Sequence, residues 1–151
     1  MTRACKNISL LTAALMLAGC SSFERDWERG AVMPPPQDMS GRWIGYWKSD
    51  VNGHRGKLRC LVEQRTEAEC TARFKANYQT IFTFTYSVGL RAMGTNDSWE
   101  VTGSEDLGAL AGGIYRYTGV VTRTNFSATY SSRYDNGIFE MRRPASNKSA
   151  R

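Results

Sequence analysis

Apolar and polar residues alternate with a period of two along most of this chain between residues 40 and 143, the signature of half-buried β-strands. Trp43, Gly45 and Trp47 alternate with Arg42, Ile44, Tyr46 and Lys48, and Leu58, Cys60 and Val62 with Lys57, Arg59, Leu61 and Glu63. The same rhythm carries Cys70, Ala72, Phe74 and Ala76, then Phe82, Phe84, Tyr86, Val88 and Leu90. Trp99, Val101 and Gly103 follow a turn at 94–97, and Tyr115, Tyr117 and Gly119 follow Gly112-Gly113. Each run has one apolar face.

The turns predict how the runs pair. Asn136-Gly137 is a preferred type I′ turn pair, and a hairpin centred there sets Tyr134 opposite Phe139 and Arg133 opposite Glu140. Phe126, Ala128 and Tyr130 then share a face with Phe139 and Met141. A second hairpin centred near Arg65 sets Cys60 opposite Cys70. Eight strands in about 105 residues, with short turns and no long helix, predict an all-β fold: a small antiparallel up-and-down β-barrel, with a two-sheet β-sandwich as the alternative.

The flanks lack this period. Arg3 and Lys6 precede an apolar run, Ile8 to Leu17, that is too short to span a bilayer, which takes about 20 residues. Leu17-Ala18-Gly19-Cys20 then resembles the lipobox of bacterial lipoproteins. That resemblance implies cleavage before Cys20, acylation of Cys20 as the lipid attachment site, and a cell-envelope address. Ser21 and Ser22, rather than Asp, follow the cysteine, which under the enteric-type sorting rule implies the outer membrane, with the domain facing the periplasm. The expected organisation is therefore 1–19 signal peptide, 20–39 a flexible lipidated tether stiffened by Pro34-Pro35-Pro36, 40–143 barrel, and 144–151 disordered tail.

Composition narrows the function classes. The net charge of +6 is carried by Lys and Arg scattered singly among acids rather than clustered on one face, which disfavours nucleic acid as a partner. Cys60 and Cys70 are the thiols remaining beside Cys20 after signal removal, and an even pair in an oxidising compartment predicts a disulfide; the alternative is two buried free thiols.

Gly41-Arg42-Trp43 on the first strand, with Arg142-Arg143 ending the last, resembles the calycin pattern of lipocalins and avidin-like barrels. The resemblance implies that Trp43 is covered by an arginine from the barrel's end, with Gly41, Trp43 and Arg143 as structural signature.

Catalysis is not predicted. His54, the sole histidine, falls in a Gly-rich turn, no nucleophile motif is present, and Glu105-Asp106 point to opposite faces of an extended segment. One histidine and two paired cysteines leave no set of metal ligands and no cofactor is expected. The aromatic residues instead point to binding: Trp43, Trp47, Phe84, Tyr86, Trp99, Tyr115 and Tyr117 share the inward parity and are the candidate lining of a site for a small apolar or aromatic molecule. Such a site belongs near the barrel mouth, between the 49–56 turn and the 105–113 loop. The competing expectation is that these rings simply fill the barrel, leaving an envelope protein-interaction adaptor or a hydrolase inhibitor, with Ile44, Tyr46 and Leu61 as its outward contact residues.

Overall fold

The computed structural model describes residues 22–78, 81–95 and 97–145. The expected signal peptide, Cys20 and most of the expected C-terminal tail lie outside the described residues.

Eight antiparallel strands form a closed up-and-down barrel: β1 (Gly41–Ser49), β2 (Arg55–Gln64), β3 (Glu69–Tyr78), β4 (Phe82–Thr95), β5 (Ser98–Asp106), β6 (Ile114–Thr122), β7 (Asn125–Ser131) and β8 (Asn136–Arg142). β8 pairs back onto β1, with Trp47 opposite Phe139 and Gly45 opposite Met141, so neither strand is left as an edge. Strong coiling at that closure requires glycine, since a Cβ on Gly45 would run into the Glu140 carbonyl.

The inward parity matches the sequence period: Trp43, Leu58, Cys60, Val62, Ala72, Phe74, Val88, Val101, Phe126 and Met141 are buried. Two hairpin registers differ from expectation. Cys60 faces Phe74 and Cys70 faces Gln64, because the β2–β3 turn centres near Glu67, where Arg65 and Thr66 donate to the Glu69 carbonyl. Cys60 and Cys70 are buried free thiols, and the expected disulfide is not formed. In the last hairpin the turn is Ser132–Asp135, held by the Ser132 hydroxyl, and Asn136-Gly137 opens β8 instead of making the turn. Glu140 consequently accepts from the Ser127 hydroxyl at 2.6 Å, and the Arg133–Glu140 pair is absent. Both slips move partners by an even number of residues, which leaves every face unchanged.

Of the segment expected as a flexible tether, 20–39, the described part opens in a helix at Ser22. A helix, α1 (22–31), lies on the outer wall over β2 and β3. Phe23 is fully buried outside the barrel, stacked on Trp27 at 5.9 Å and beneath the cations of Arg59 and Lys75. Glu24 takes a two-pronged pair from Arg59, at 2.6 and 3.0 Å, and a third bond from Lys75, while Asp26 pairs with Arg73 at 2.8 Å. Burial of one aromatic ring under a lattice of partly shielded ion pairs supplies the docking that local propensity alone does not. Leu61, outward on this wall, is buried as well.

Candidate functional site

The barrel has two unlike ends. At the end where β1 begins, Trp43 is completely buried, its Nε1 donating to the Met39 carbonyl at 3.0 Å and its ring meeting Phe126 edge-on at 5.7 Å. The Arg143 guanidinium lies 4.0 Å from the Trp43 ring centre and donates to the carbonyls of Ser40, Asp38 and Arg123. Burial lowers the Arg143 pKa to about 10, with Asp38 opposing that shift. Trp43 therefore belongs to a plug and lines no site. Trp99, opposite Gly94, stands at this same end.

At the other end, the mouth, inward side chains become partly exposed. Trp47 stacks on Tyr78 at 5.8 Å, and its Nε1 donates to the Asn77 carbonyl. The Tyr78 hydroxyl is hydrogen-bonded to Nδ1 of His54 at 2.7 Å, so the lone histidine is a structural partner rather than a solvated turn residue. Ser49 and Tyr130 both donate to Asp135, at 2.5 and 3.0 Å. His54, Tyr78 and Asp135 were not legible as neighbours, because each comes from a turn or strand end that parity does not locate.

Between plug and mouth runs a column of rings. Phe74 stacks on Tyr86 at 5.3 Å and on Tyr117 at 6.5 Å, and Phe139 touches Phe74, Tyr117 and Tyr130 at 5.1 to 6.0 Å. Tyr115 continues the column toward the mouth, 6.4 Å from Tyr117 and 6.0 Å from Tyr130. Tyr86, Tyr115 and Tyr117, three of the expected lining residues, are thus brought together in this column, while Trp47 stands at the mouth against Tyr78. Phe84, though on the inward parity opposite Ala76, is 56% exposed, as is Phe82.

The exposure of Phe84 has a cause in the wall. β4 pairs with β3 along Phe82–Arg91 but with β5 only from Leu90 to Thr95. Beyond Leu90 the two strands part, and Ser104 to Asp106 of β5 pair with β6 alone. Leu90, Gly103 and Tyr117 floor an open groove of about 700 Å³ on the outer wall beside this seam, flanked by Arg65, Arg91 and Arg116.

The chemistry of this half is that of neutral phenols. Burial first, and neighbouring phenols second, push Tyr86 far above the ordinary tyrosine range. Tyr117 and Tyr130 are raised too, chiefly by burial, with Tyr115 and Glu105 adding to Tyr117 and Asp135 to Tyr130, while interaction with the hydroxyls of Tyr86 and Ser49 respectively opposes the shift. The Tyr117 hydroxyl is buried with the Tyr86 hydroxyl beside it, a contact short of full hydrogen-bond geometry. Cys60 and Cys70 are held protonated by burial, Cys70 at about 11, which makes them poor nucleophiles. Asp106 accepts from the Gly108 amide and so caps its own loop. Among the described residues no group of three or more His, Cys, Asp or Glu side chains is arranged to hold a metal ion.

No family model matches the chain, and no curated protein does. Among solved structures it is similar to a de novo designed fluorescence-activating β-barrel, at 16% identity and a TM-score of 0.49, over 74% of this chain and 100% of the designed one.

Proposed function

We propose that this protein is a lipid-anchored lipoprotein of the outer membrane, attached through Cys20 and facing the periplasm, whose barrel binds a small apolar or aromatic molecule without catalysing a reaction. The observation that carries the binding reading is the cluster of buried and half-buried phenols, Tyr86, Tyr115 and Tyr117, inside the wall that opens where β4 leaves β5. Phenol hydroxyls set among apolar rings become specificity contacts when a ligand supplies an acceptor. Tyr86, Tyr115 and Trp47 would give that ligand flat apolar walls. Phe74 and Phe139, in contact at mid-height, confine the ligand to the mouth half.

The same filled mid-section favours a second reading, an envelope adaptor or hydrolase inhibitor that carries no ligand. A fluorescence titration with 6-propionyl-2-(dimethylamino)naphthalene, an apolar probe whose ketone accepts a hydrogen bond, separates them. The carrier reading expects saturable binding with one probe per barrel and at least ten-fold weaker affinity in Tyr117→Ala, whereas unsaturable or absent binding supports the adaptor.

A further inference from the structure

The mouth carries a second feature that the binding site does not use. Val51, Ile81, Phe82, Leu110, Ile114 and Tyr134 are all exposed, and all come from strand ends or turns at the mouth. Each turn at this end therefore presents an apolar side chain to solvent; singly such residues are ordinary, but a ring of them around one opening marks a contact surface. The plug end shows fewer, chiefly Val32, Met33 and Met93.

Charge is divided the same way. Lys48, Arg55, Lys57, Arg116 and Arg133 are exposed on the mouth half, against Asp50 and Asp106. Toward the plug the exposed acids Glu63, Glu67, Glu69, Asp97 and Glu100 are interspersed with the exposed Arg65, Arg91, Arg123 and Arg142, with Glu63–Arg65 and Asp97–Arg123 paired. The molecule thus has a basic, apolar-rimmed end and an end of mixed charge.

The direction of α1 says which way the basic end points. Glu24 sits at the level of Arg59 and Lys75, halfway along the wall, while Asp26 reaches Arg73 and Gly30 packs on Arg42 near the plug. The helix therefore runs from mid-wall toward the plug, and its N-terminus points toward the mouth. From Phe23 back to Cys20 is one helical and two extended residues, a reach of about 8 Å, against about 10 Å from Lys75 to the end of β3 at Tyr78. The chain preceding α1 can bring Cys20 to within a few ångströms of the rim.

We infer that the mouth rim is a membrane-docking surface: the barrel rests mouth-down on the bilayer that holds its lipid anchor, with the apolar turns in the interface and the flanking basic residues on anionic headgroups. This rests on the lipidation of Cys20 proposed above. Apolar side chains in the interface and Lys and Arg near anionic lipid add attraction that a lipid anchor alone does not orient. Docked this way, the aromatic column opens toward the acyl chains, and the bound molecule is one drawn from the bilayer.

The test places a bimane label at Leu110→Cys in one protein and at Met93→Cys in another, each prepared with Cys20 acylated and as Cys20→Ser. Vesicles of phosphatidylethanolamine and phosphatidylglycerol carry doxyl-labelled lipid as quencher. The expected result is strong quenching of the Leu110 label and little of the Met93 label, in the acylated protein and, at low salt, in the Cys20→Ser protein. Adding Ile81→Asp to the Cys20→Ser protein lowers vesicle partition at least ten-fold. Equal quenching at both positions, no quenching at Leu110 in the acylated protein, or shielding of Leu110 by a second copy without lipid would overturn the inference. The intact mass reports acylation separately: its absence overturns the anchor reading, and the Cys20→Ser vesicles still decide whether the rim binds membrane.

Discussion

The guanidinium of Arg143 sits 4.0 Å from the ring centre of Trp43 and, from the same fork, donates to the Asp38 and Ser40 carbonyls that lead into β1. One side chain from the end of the last strand thus seals the indole, the chain entry and the barrel closure together. Cation over ring and two charged hydrogen bonds are each strengthened by the shielding they share.

Arg143→Ala should therefore destabilise the barrel by about 3 kcal/mol, the sum of a lost desolvated cation–π contact and stranded carbonyls. Urea unfolding followed by tryptophan fluorescence measures it. Arg143→Lys keeps the charge but loses the fork, and its midpoint should fall between wild type and alanine.

The docking of α1 should be sensitive to acid. Arg59 first, then Lys75, holds the Glu24 carboxyl at about 2 instead of 4.5, and Arg73 lowers that of Asp26. A carboxylate with a depressed folded pKa stabilises fully above its unfolded value, and that contribution is lost as pH falls through the folded one. Docking should be pH-independent above about 4.5 and weaken progressively toward about 2. Trp27 emission should shift to the red over that window, and Glu24→Gln should flatten most of the shift.

Phe23→Ala tests the same helix without titration. Removing a fully buried ring costs about 3 kcal/mol, a loss confined here to α1. Hydrogen exchange should rise across 22–31 while the strand amides stay protected.

Both thiols should be unreactive in the folded Cys20→Ser protein, since burial holds them protonated. Ellman's reagent should titrate two thiols per chain only after unfolding, and the intact mass should lack the two-hydrogen deficit of a disulfide.

Much of this was legible in the chain because a strand's inward face depends on parity alone. Cys60 keeps its inward position whether it faces Cys70 or Phe74, and Phe139 keeps its own whether it faces Tyr134 or Ala128; the turns misled about register without changing a face. Parity is silent on height. It could not tell that Trp43 and Trp99 stand at the plug while Tyr86, Tyr115 and Tyr117 approach the mouth, or that Phe84 leans out where β4 leaves β5. The helix at 22–31 was hidden differently: it buries little beyond Phe23 and docks through Glu24 and Asp26 on arginines that read as ordinary outward charges. Phe23 and Trp27, four apart, were its one local signal.

Tyr117 separates binding from stability. Tyr117→Phe removes a buried hydroxyl whose neighbour is the Tyr86 hydroxyl, and should weaken ligand binding several-fold while changing stability by about 1 kcal/mol or less. Thermal unfolding and probe titration on the same samples read both effects.

The most direct measurement of the central claim is the native mass spectrum of the Cys20→Ser protein taken from a bacterial periplasm without denaturant, recorded with and without mild collisional activation. The account predicts an added mass of one small molecule per barrel that leaves on activation and is depleted in Tyr117→Phe. A clean apo mass, unchanged after incubation with envelope lipid extract, would contradict it.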